Sequence, residues 1–405
     1  MQTELAEDIK DTPQGREADS ILRRCVHCGF CNATCPTYQL LGDELDGPRG
    51  RIYLIKQMLE GNEVTRKTQQ HLDRCLTCLN CQTTCPSGVE YGTLLDIGRS
   101  LMEQRVPRSL GDRLTRLALR WTLPYSKRIG ALLWLGQKVR PLLPNRIRRS
   151  IPRRAQTQQS AKYPRQHPRK VLLLEGCVQP ALSPSINNAT KKVLDVLGVS
   201  VVHTPRAGCC GALSQHLGAN DEALDFMQRN IDAWWPHIES GVETIVTNAS
   251  GCGMVIKHYE KYLSGIPGYR EKAAKVSTLT KDIAEFVHEE DLRQFMHRES
   301  EKIVFHPPCT LQHGQGLGGI VEGILTKIGY QLLPVQDGHL CCGSAGIYSI
   351  LQAELSQQLL QDKLNKLQRP KPKLIATANI GCQLHLQTKA DAPVIHWIEL
   401  LAQAG

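Results

Sequence analysis

The spacing of apolar residues divides the chain into two regions. Before about residue 103, apolar side chains recur at helical spacing, most clearly at residues 52–59, which follow the sequence GPRGR, and at residues 94–102. From Val171 onward, short apolar runs typical of buried strands alternate with helical patterns. The pattern predicts a helical region followed by an α/β region.

The α/β region repeats itself. Predicted strands at 171–174 and 303–305 each lead into a cysteine, and a Cys-Cys-Gly sequence follows 32 residues after that cysteine. Apolar runs at 244–247 and 374–377 then each lead to a Gly-Cys pair. The matching cysteines are Cys177, Cys209, Cys210 and Cys252 in the first copy and Cys309, Cys341, Cys342 and Cys382 in the second. Their offsets of 132, 132 and 130 residues indicate two copies of one unit.

Each copy also contains a predicted helix followed by a strand. The helical patterns lie at 188–197 and 320–328, and the strands that follow lie at 199–202 and 331–335. This alternation is typical of α/β units on parallel sheets, which place their sites in loops at strand ends.

The helical region contains the motif C-x2-C-x2-C-x3-C-P twice. Its cysteines are Cys25, Cys28, Cys31 and Cys35, then Cys75, Cys78, Cys81 and Cys85. In proteins with two clusters, the fourth cysteine of each such run binds the other cluster. The spacing therefore predicts one [4Fe–4S] cluster on Cys25, Cys28, Cys31 and Cys85, and a second on Cys75, Cys78, Cys81 and Cys35. A structural zinc site needs only four ligands, and disulfides are typical of small secreted domains, so both alternatives explain the motif less well.

Composition indicates a reducing compartment. The chain has 405 residues, enough for two or three domains, and 41% of them are hydrophobic. The acidic N-terminus has no signal-peptide pattern, and no apolar run is long enough to span a membrane. Sixteen cysteines in such a chain indicate metal or redox chemistry. We expect a cytoplasmic protein.

The net charge of +10 comes from one segment. Residues 104–174 contain eighteen Lys and Arg and one acid, Asp112, which gives +17 and leaves −7 for the remaining chain. Prolines interrupt this segment, which carries Trp121 and Trp134, so it predicts two or three short amphipathic helices and a linker. Peripheral contact with the inner membrane through residues 104–170 is one explanation, and a solvated basic helix or a docking surface for an acidic partner subunit explains the segment equally well.

These patterns predict an α+β multidomain protein. Residues 1–103 form a helical ferredoxin-type domain and 104–170 a basic linker. Residues 171–290 and 300–405 form two cysteine-rich α/β domains.

The ordered set of motifs resembles the glycolate oxidase iron–sulfur subunit family. The repeated unit resembles the cysteine-rich CCG domain of heterodisulfide reductase and its relatives. Lactate-utilisation proteins and the small subunit of anaerobic glycerol-3-phosphate dehydrogenase are related. The resemblance extends from about Leu22 to the C-terminus and is weakest across the basic segment. The sequences that carry it are CVHCGFCNATCPTY, GPRGRIYL, CLTCLNCQTTCPSGVEYG, HPPCTLQH, CCGSAGIYSI and TANIGCQLHL.

This resemblance implies an electron-transfer subunit of an oxidoreductase that converts glycolate to glyoxylate. The implied path runs from flavin-containing glycolate oxidase subunits, through the two clusters, to a quinone or another acceptor. The G-x-G-x-x-G match at residues 314–319, GQGLGG, follows Cys309 and does not open a nucleotide-binding unit, and the chain has no P-loop. FAD is therefore expected only on partner subunits, and no catalytic residue is assigned to this chain.

Three other functions compete with this one, and the sequence disfavours the third. The substrate of the complex could be lactate, another 2-hydroxy acid or glycerol 3-phosphate, because specificity would lie on the flavin subunit. A disulfide reductase could use Cys209 and Cys210, or Cys341 and Cys342. Nucleic-acid binding is disfavoured, because the basic segment is broken by prolines and has no recognition motif, and we expect no nucleic-acid partner.

The repeated units depart from the heterodisulfide reductase pattern at one cysteine. Fully equipped CCG domains end in C-x-x-C, and Ala249 and Asn379 replace the first cysteine of that pair. Four thiolates per unit still suffice for a third cluster or a metal ion, and the alternative is that they only shape loops. Four histidines near these cysteines are candidate ligands or proton carriers, or simply hydrogen-bonded loop residues: His306, His313, His339 and His385.

Overall fold

The N-terminal region is helical, as the sequence predicts. The computed structural model describes residues 1–140, 166–296 and 301–404. The helices of this region span Pro13–Arg24, Phe30–Ala33, Pro36–Leu41, Pro48–Leu59, Arg66–Asp73, Asn80–Thr83 and Tyr91–Arg105, with a 3₁₀ turn at Glu44–Asp46. Pro13, Pro36 and Pro48 each occupy the first helical position, where the missing N–H costs no hydrogen bond. The predicted helices at 52–59 and 94–102 are confirmed and are several residues longer than expected.

The described part of the basic segment contains two helices, Leu110–Thr122 and Ser126–Val139. Ser109 caps the first, its hydroxyl accepting from the Asp112 amide at 3.2 Å, and Pro124 separates the two. The rest of the predicted linker, residues 141–165 with their four prolines, lies outside the described residues.

The duplicated region forms two parallel sheets of four strands. The strands are β1 (Arg169–Leu174), β2 (Val199–Val202), β3 (Thr244–Thr247), β4 (Thr280–Asp282), β5 (Lys302–His306), β6 (Gln331–Leu332), β7 (Ile375–Thr377) and β8 (Val394–His396). Their orders are β2-β1-β3-β4 and β6-β5-β7-β8, so the two sheets have the same topology. We call residues 166–296 the first unit and residues 301–404 the second unit.

Six of the eight strands follow the predicted pattern. β6 ends at Leu332, earlier than predicted, and Pro334, two residues further on, has no N–H to continue the ladder. β4 and β8 were not predicted, because three-residue strands are too short to show a period, and β4 contains no apolar side chain.

Helices flank each sheet. In the first unit they span Gln179–Leu182, Pro184–Val196, Ala212–His216, Asn220–Glu239, Ser250–Ile256, Tyr259–Tyr262, Arg270–Leu279 and Ile283–His288, followed by a 3₁₀ turn at Arg293–Phe295. In the second unit they span Ile320–Lys327, Tyr348–Leu351, Ala353–Gln368, Ile380–Gln387 and Trp397–Ala404, with a π-turn at Thr310–Gly314.

The register makes the two units comparable residue by residue. In the first unit β1 pairs with β3 so that Leu174 lies opposite Thr247. In the second unit β5 pairs with β7 so that His306 lies opposite Thr377. Leu174 and His306 therefore occupy the same position, at the carboxyl end of the equivalent strand.

One hydrophobic core joins the two units. It includes Val171 and Val193 of the first unit and Ile303 and Trp397 of the second. Helix Pro184–Val196 packs against the last helix, and Lys192 Nζ donates to the Ala402 carbonyl at 2.6 Å. Burial of shared apolar surface therefore fixes the units against each other.

The ferredoxin-type region contacts both units. Helix Tyr91–Arg105 lies on the first unit, where Asn220 Nδ2 donates to Ser100 Oγ at 2.9 Å. On the second unit, Asn80 Nδ2 donates to the His339 carbonyl at 3.3 Å. The second cysteine motif is therefore held at the junction of the three parts.

Candidate metal centres

Both ferredoxin-type motifs fold through left-handed residues at matching positions. These are His27 and Gly29 in the first motif, with φ of 55° and 85°, and Thr77 and Leu79 in the second, with φ of 53° and 59°. A short helix follows each pair. A left-handed residue other than glycine costs about 1–2 kcal/mol. Leu79 tolerates this because its side chain packs against the apolar core of the first unit.

The first motif opens on a surface cavity. Cys25, Cys28 and Cys31 line it together with Cys85 of the second motif, around about 440 Å³ of non-protein space. Cys28 is exposed, and so are the flanking side chains of Val26 and Phe30. The structure therefore brings together the four cysteines that the sequence predicts for the first cluster.

The second cavity is smaller and buried. Cys75 and Cys78 line it with Cys35 of the first motif, around about 300 Å³. Cys81 and Tyr91 line both cavities, so the two cysteine groups adjoin. The charges that raise the pKa of the Cys81 thiol, after burial, are chiefly those of Cys78, Cys75 and Cys35, which places Cys81 with the second group.

The donor set fits iron–sulfur clusters. Burial, followed by repulsion from Cys25, Cys28 and Cys85, raises the pKa of Cys31 to about 11. Burial also raises the pKa of Cys78 well above its usual value. Groups of thiols that ionise so reluctantly need a bound cation to become thiolates, and thiolates are the ligands of iron–sulfur clusters.

A buried cation lies beside the second cavity. The Arg51 side chain is 1% exposed, and its Nη1 lies 4.0 Å from Cys35 Sγ and 3.1 Å from Thr37 Oγ1. Its Nε donates to the His71 carbonyl at 2.7 Å, and its Nη2 lies 3.4 Å from Asp46 Oδ1. Arg51 therefore supplies positive charge that is fixed in place next to the thiols.

Hydroxyl groups also reach the sulfurs of this cavity. Tyr91 Oη donates to Cys75 Sγ at 3.5 Å, and Thr37 Oγ1 lies 3.2 Å from Cys35 Sγ. Such contacts are among the factors that set the potential of an iron–sulfur centre. Sequence reasoning missed Arg51 and Tyr91, although both lie within motifs that it singled out, GPRGR and GVEYG.

Each repeat unit contains a row of four neighbouring thiols that influence each other's ionisation. In the first unit the row runs through Cys177, Cys209, Cys210 and Cys252. In the second unit it runs through Cys309, Cys341, Cys342 and Cys382, and Cys309 Sγ donates to Cys341 Sγ at 3.8 Å. The structure therefore brings together all eight repeat cysteines in two sets of four.

The glycine of each Cys-Cys-Gly sequence is required by the backbone. Gly211 and Gly343 have φ of 91° and 88°. A Cβ atom at Gly211 would lie 2.9 Å from the Ala223 carbonyl oxygen, and one at Gly343 would lie 2.7 Å from that of Ser356. Glycine lets the chain turn next to a helix backbone, and this turn places the paired cysteines.

The two thiol rows differ in their surroundings. In the second unit, donor atoms of His306, Cys342 and Cys382 lie within 4.8 Å of one another, and all three residues are buried. Among the described residues of the first unit, no three such donors converge in this way. The equivalent of His306 there is Leu174, which offers no donor.

The four candidate histidines differ in their hydrogen-bond partners. His313 contacts Thr83 Oγ1 and the His339 carbonyl, each at 3.0 Å, and His385 Nε2 lies 3.1 Å from Ser356 Oγ. By contrast, neither ring nitrogen of His306 has a hydrogen-bond partner among the described residues. Burial, with the charge of Lys363, keeps the pKa of His306 well below its usual value, so the imidazole is neutral.

The second cavity lies against the second thiol row. Cys78 packs in one buried group of apolar side chains with Cys309 and Cys341, together with Leu76 and Tyr348. After burial, the charge of Cys309 is the largest influence that raises the pKa of Cys78. One end of this row is therefore next to a predicted cluster ligand.

The positions that lack the fifth cysteine lie where the units meet. The Ser250 amide donates to the Ala378 carbonyl at 3.4 Å, and Asn379 Nδ2 donates to Ser250 Oγ at 3.1 Å. Ala249 immediately precedes Ser250 in the chain. These positions therefore belong to the contact between units.

The basic segment presents an apolar surface to solvent. Leu110, Leu114, Leu117 and Trp121 lie on one face of helix Leu110–Thr122 and are between 58% and 76% exposed. On the inward side of the helix, Arg116 and Arg120 form ion pairs with Asp73, Asp112 and Glu222. Arg108, just before the helix, pairs with Asp73, Glu103 and Asp112. A helix that turns three leucines and a tryptophan to solvent while arginines pair on its inner side is the reverse of the usual arrangement.

The next helix continues this surface. Trp134 and Leu135 are exposed, and the charged groups of Lys138 and Arg128 lie over the rings of Trp134 and Trp121 at 3.9 and 4.5 Å. Among the described helices, none is both long and apolar enough to cross a membrane. The exposed apolar face is therefore a surface feature with cations at its edge.

Two family models match the chain. A 4Fe-4S dicluster domain matches residues 21–89, and a cysteine-rich domain, CCG, matches residues 171–257 and 303–387. These matches confirm the predicted fold class, a helical ferredoxin-type region followed by a duplicated cysteine-rich α/β domain.

Several curated proteins are similar to the chain. The glycolate oxidase iron-sulfur subunit of Escherichia coli (strain K12) is 54% identical over 405 residues, which are 100% of this chain and 99% of the relative. The probable glycolate oxidase iron-sulfur subunit of Bacillus subtilis (strain 168) is 30% identical, over 98% of this chain and 97% of the relative. Lactate utilization protein A of Geobacillus kaustophilus is 23% identical over 54% of this chain and 90% of that protein.

Proposed function

Because the chain belongs to the glycolate oxidase iron–sulfur subunit family, we propose that it is the electron-transfer subunit of a multisubunit enzyme that oxidises glycolate to glyoxylate. Support comes from the relative that shares 54% of its residues over the full chain. Glycolate would bind to a partner subunit that carries FAD, and this chain would contribute no catalytic residue.

The proposed ligand sets are crossed between the two motifs. Cys25, Cys28, Cys31 and Cys85 hold one [4Fe–4S] cluster, and Cys75, Cys78, Cys81 and Cys35 hold the other. The lining of the two adjoining cavities supports this assignment. When bound, the clusters supply one-electron transfer between the partner's flavin and a quinone-level acceptor.

The protein around the two sites has distinct tasks. The open first cavity, with Val26 and Phe30 exposed at its rim, offers a face where a redox partner can approach. The buried second cavity is kept from water by the second unit, and Arg51 balances its negative charge. The observation that carries the proposal is that the two cysteine groups adjoin through Cys81 and Tyr91, so their ligands span from the surface to the interior.

Anaerobic purification of this chain with its flavin subunits tests the proposal. We expect about eight irons and eight sulfides per chain, as two [4Fe–4S] clusters require. Glycolate should produce an electron paramagnetic resonance signal of reduced clusters in the complex but not in this chain alone. Reduction by lactate or glycerol 3-phosphate but not by glycolate would contradict the proposed substrate, and iron near zero after reconstitution would contradict the proposed cofactors.

We further propose that the exposed face of helix Leu110–Thr122 binds the anionic cytoplasmic face of the inner membrane. Three observations support a lipid surface: the apolar face with Trp121, the cations stacked on Trp121 and Trp134, and the +17 charge of residues 104–174. Interfacial helices combine these features, since leucines enter the acyl boundary while cations meet lipid phosphates.

Vesicle sedimentation with the full chain tests this contact. We expect binding to phosphatidylglycerol vesicles, weaker binding to phosphatidylcholine, and loss of most binding in a Leu114→Gln/Leu117→Gln variant. Ile350→Gln, which changes another exposed apolar residue, is the matched control and should bind as wild type. If the double variant keeps vesicle binding but no longer retains the flavin subunit, the surface serves subunit docking instead.

A further inference from the structure

The two thiol rows are equivalent by descent but not by chemistry. Each contains four cysteines in the same order, and neighbouring thiols are close enough to influence each other's ionisation. Among the described residues, only the second row has a buried imidazole directed at it, because His306 replaces the equivalent Leu174. The duplicated unit has therefore gained or kept one extra donor on one side only.

His306 lacks any partner that would explain its burial. It is 1% exposed, and neither ring nitrogen forms a hydrogen bond with a described residue. Leaving a polar group buried and unpaired costs about 1–3 kcal/mol. Its nearest donors are the thiols of Cys342 and Cys382, within 4.8 Å. A shared metal ion would satisfy all three groups together.

We infer that the second unit binds one zinc-class metal ion through His306, Cys341, Cys342 and Cys382. Three thiolates and one imidazole make up a recognised structural zinc set, Cys₃His, with tetrahedral geometry. Cys341 would supply the fourth ligand, because it precedes Cys342 in the chain and the two thiols are close enough to act on each other's charge. The first unit binds no such ion.

The spacing of the donors favours one ion over a third cluster. Two thiolates at about 2.3 Å from one tetrahedral zinc lie about 3.8 Å apart. Donor atoms of His306, Cys342 and Cys382 already lie within 4.8 Å of one another, so a single ion can reach all three with little movement. The ligands of a [4Fe–4S] cluster each bind a different iron, so they surround a larger volume than donors within 4.8 Å of one another.

The charge around the site is also compatible with bound metal. Zn²⁺ with three thiolates carries one net negative charge. Lys363 is buried, and its ammonium group is close enough to interact electrostatically with thiolates at Cys341, Cys342 and Cys382. Its Nζ donates to the Asp337 and Gly338 carbonyls at 3.1 and 2.9 Å. A fixed ammonium group is therefore available to balance the excess charge.

This site goes beyond the electron-transfer role proposed above, because zinc is redox-inactive. Its position gives it a structural task. Cys309, the next thiol of the row, packs in the same buried group of apolar side chains as Cys78, at the junction with the ferredoxin-type region. An ion on the row would hold the loops of Cys309, Cys341 and Cys382 in place against that junction.

Metal analysis of the full chain, with its clusters intact, tests the inference. After loading with Co²⁺ and desalting, wild type should retain one Co²⁺ per chain and show a thiolate-to-cobalt charge-transfer band. Cys382→Ser should lose the band and the stoichiometric cobalt. Cys252→Ser, the matched change in the first unit, should retain both. His306→Leu, which copies the first unit, should weaken Co²⁺ binding at least tenfold.

Each contrary result has a distinct meaning. Failure of wild type to bind Co²⁺ or Zn²⁺ overturns the inference without the need for any variant, so misfolding of a variant cannot hide it. Equal loss in Cys252→Ser and Cys382→Ser removes the proposed asymmetry between the units. About twelve irons in wild type, falling in Cys382→Ser, would show a third cluster instead. Iron near zero in every sample, with one Co²⁺ still bound, would contradict the electron-transfer proposal and leave the zinc site standing.

Discussion

The two ferredoxin-type sites share one cysteine spacing but lie in opposite environments. The first opens to solvent at Cys28, between the exposed side chains of Val26 and Phe30. The second is buried, with the guanidinium of Arg51 beside Cys35 and the hydroxyl of Tyr91 on Cys75. Both sites come from the same C-x2-C-x2-C-x3-C-P motif, so the motif alone does not set the properties of a cluster.

The two environments suit different tasks: one allows a partner subunit to reach a cluster, and the other controls the reduction potential of a cluster. An exposed cluster can exchange electrons with a partner subunit, while a buried one is governed by nearby charges and hydrogen bonds. Burial lowers the potential of an anionic cluster, and the cation and hydroxyl donors of the second site act in the opposite direction. We therefore expect Arg51 and Tyr91 to set how far the potential of the second proposed cluster departs from that of the first.

Loss of a single cysteine ligand should give the largest contrast. Cys28→Ser and Cys78→Ser should each remove about four of about eight irons, since each disrupts one cluster. Only Cys78→Ser should also raise amide hydrogen exchange in the second unit, near Tyr348. The reason is that Cys78 packs among the buried apolar side chains between the ferredoxin-type region and the second unit. Equal exchange in both variants would show that the sites are not distinct in this way.

Removal of the buried cation should shift one potential strongly. Arg51→Gln should lower the reduction potential of the second cluster on the order of 100 mV, because a charge is lost next to Cys35. It also leaves Asp46 buried with one cation fewer, which costs about 3 kcal/mol of stability. Redox titration followed by electron paramagnetic resonance measures the shift.

Arg49→Gln is the matched control on the same helix. Arg49 is more than a third exposed and is paired with Glu44 at 2.6 Å, so its charge is largely screened. We expect a much smaller shift, confined to the first cluster. Arg51→Lys should retain most of the wild-type potential, and a shift as large as that of Arg51→Gln would show that charge is not the cause.

Exposure should decide the order in which the clusters are lost. During oxidation by ferricyanide in the presence of a chelator, the first cluster should decay before the second, since Cys28 is exposed and Cys78 is buried. The decay of the two signals, assigned with the cysteine variants, measures this order. Simultaneous loss would mean that oxidation of either cluster unfolds the whole region.

Removal of one hydroxyl should give the smallest effect. Tyr91→Phe deletes the hydrogen bond to Cys75 Sγ and should lower the second potential by about 40 mV, which corresponds to about 1 kcal/mol. The first potential should not change, although Tyr91 lines both cavities, because its hydroxyl reaches only Cys75 of the second set. A shift of both potentials would place the effect in packing and not in the hydrogen bond.

The repeating features of the protein could be predicted from residue spacing alone. The two cysteine motifs, the duplication and most strands could be predicted, because local spacing fixes which residues come together in a loop and period fixes which face is buried. The matched offsets of the repeat cysteines predicted two equivalent sets, and the structure places each set in one row.

The differences between equivalent elements arise from tertiary packing. It placed Arg51 and Tyr91 on one cavity, turned the apolar face of helix Leu110–Thr122 outward, and left His306 without a described hydrogen-bond partner. These facts depend on contacts between residues far apart in sequence, which no local period encodes. Two copies of a motif therefore predict two sites, but only the packing around them makes one open and the other enclosed.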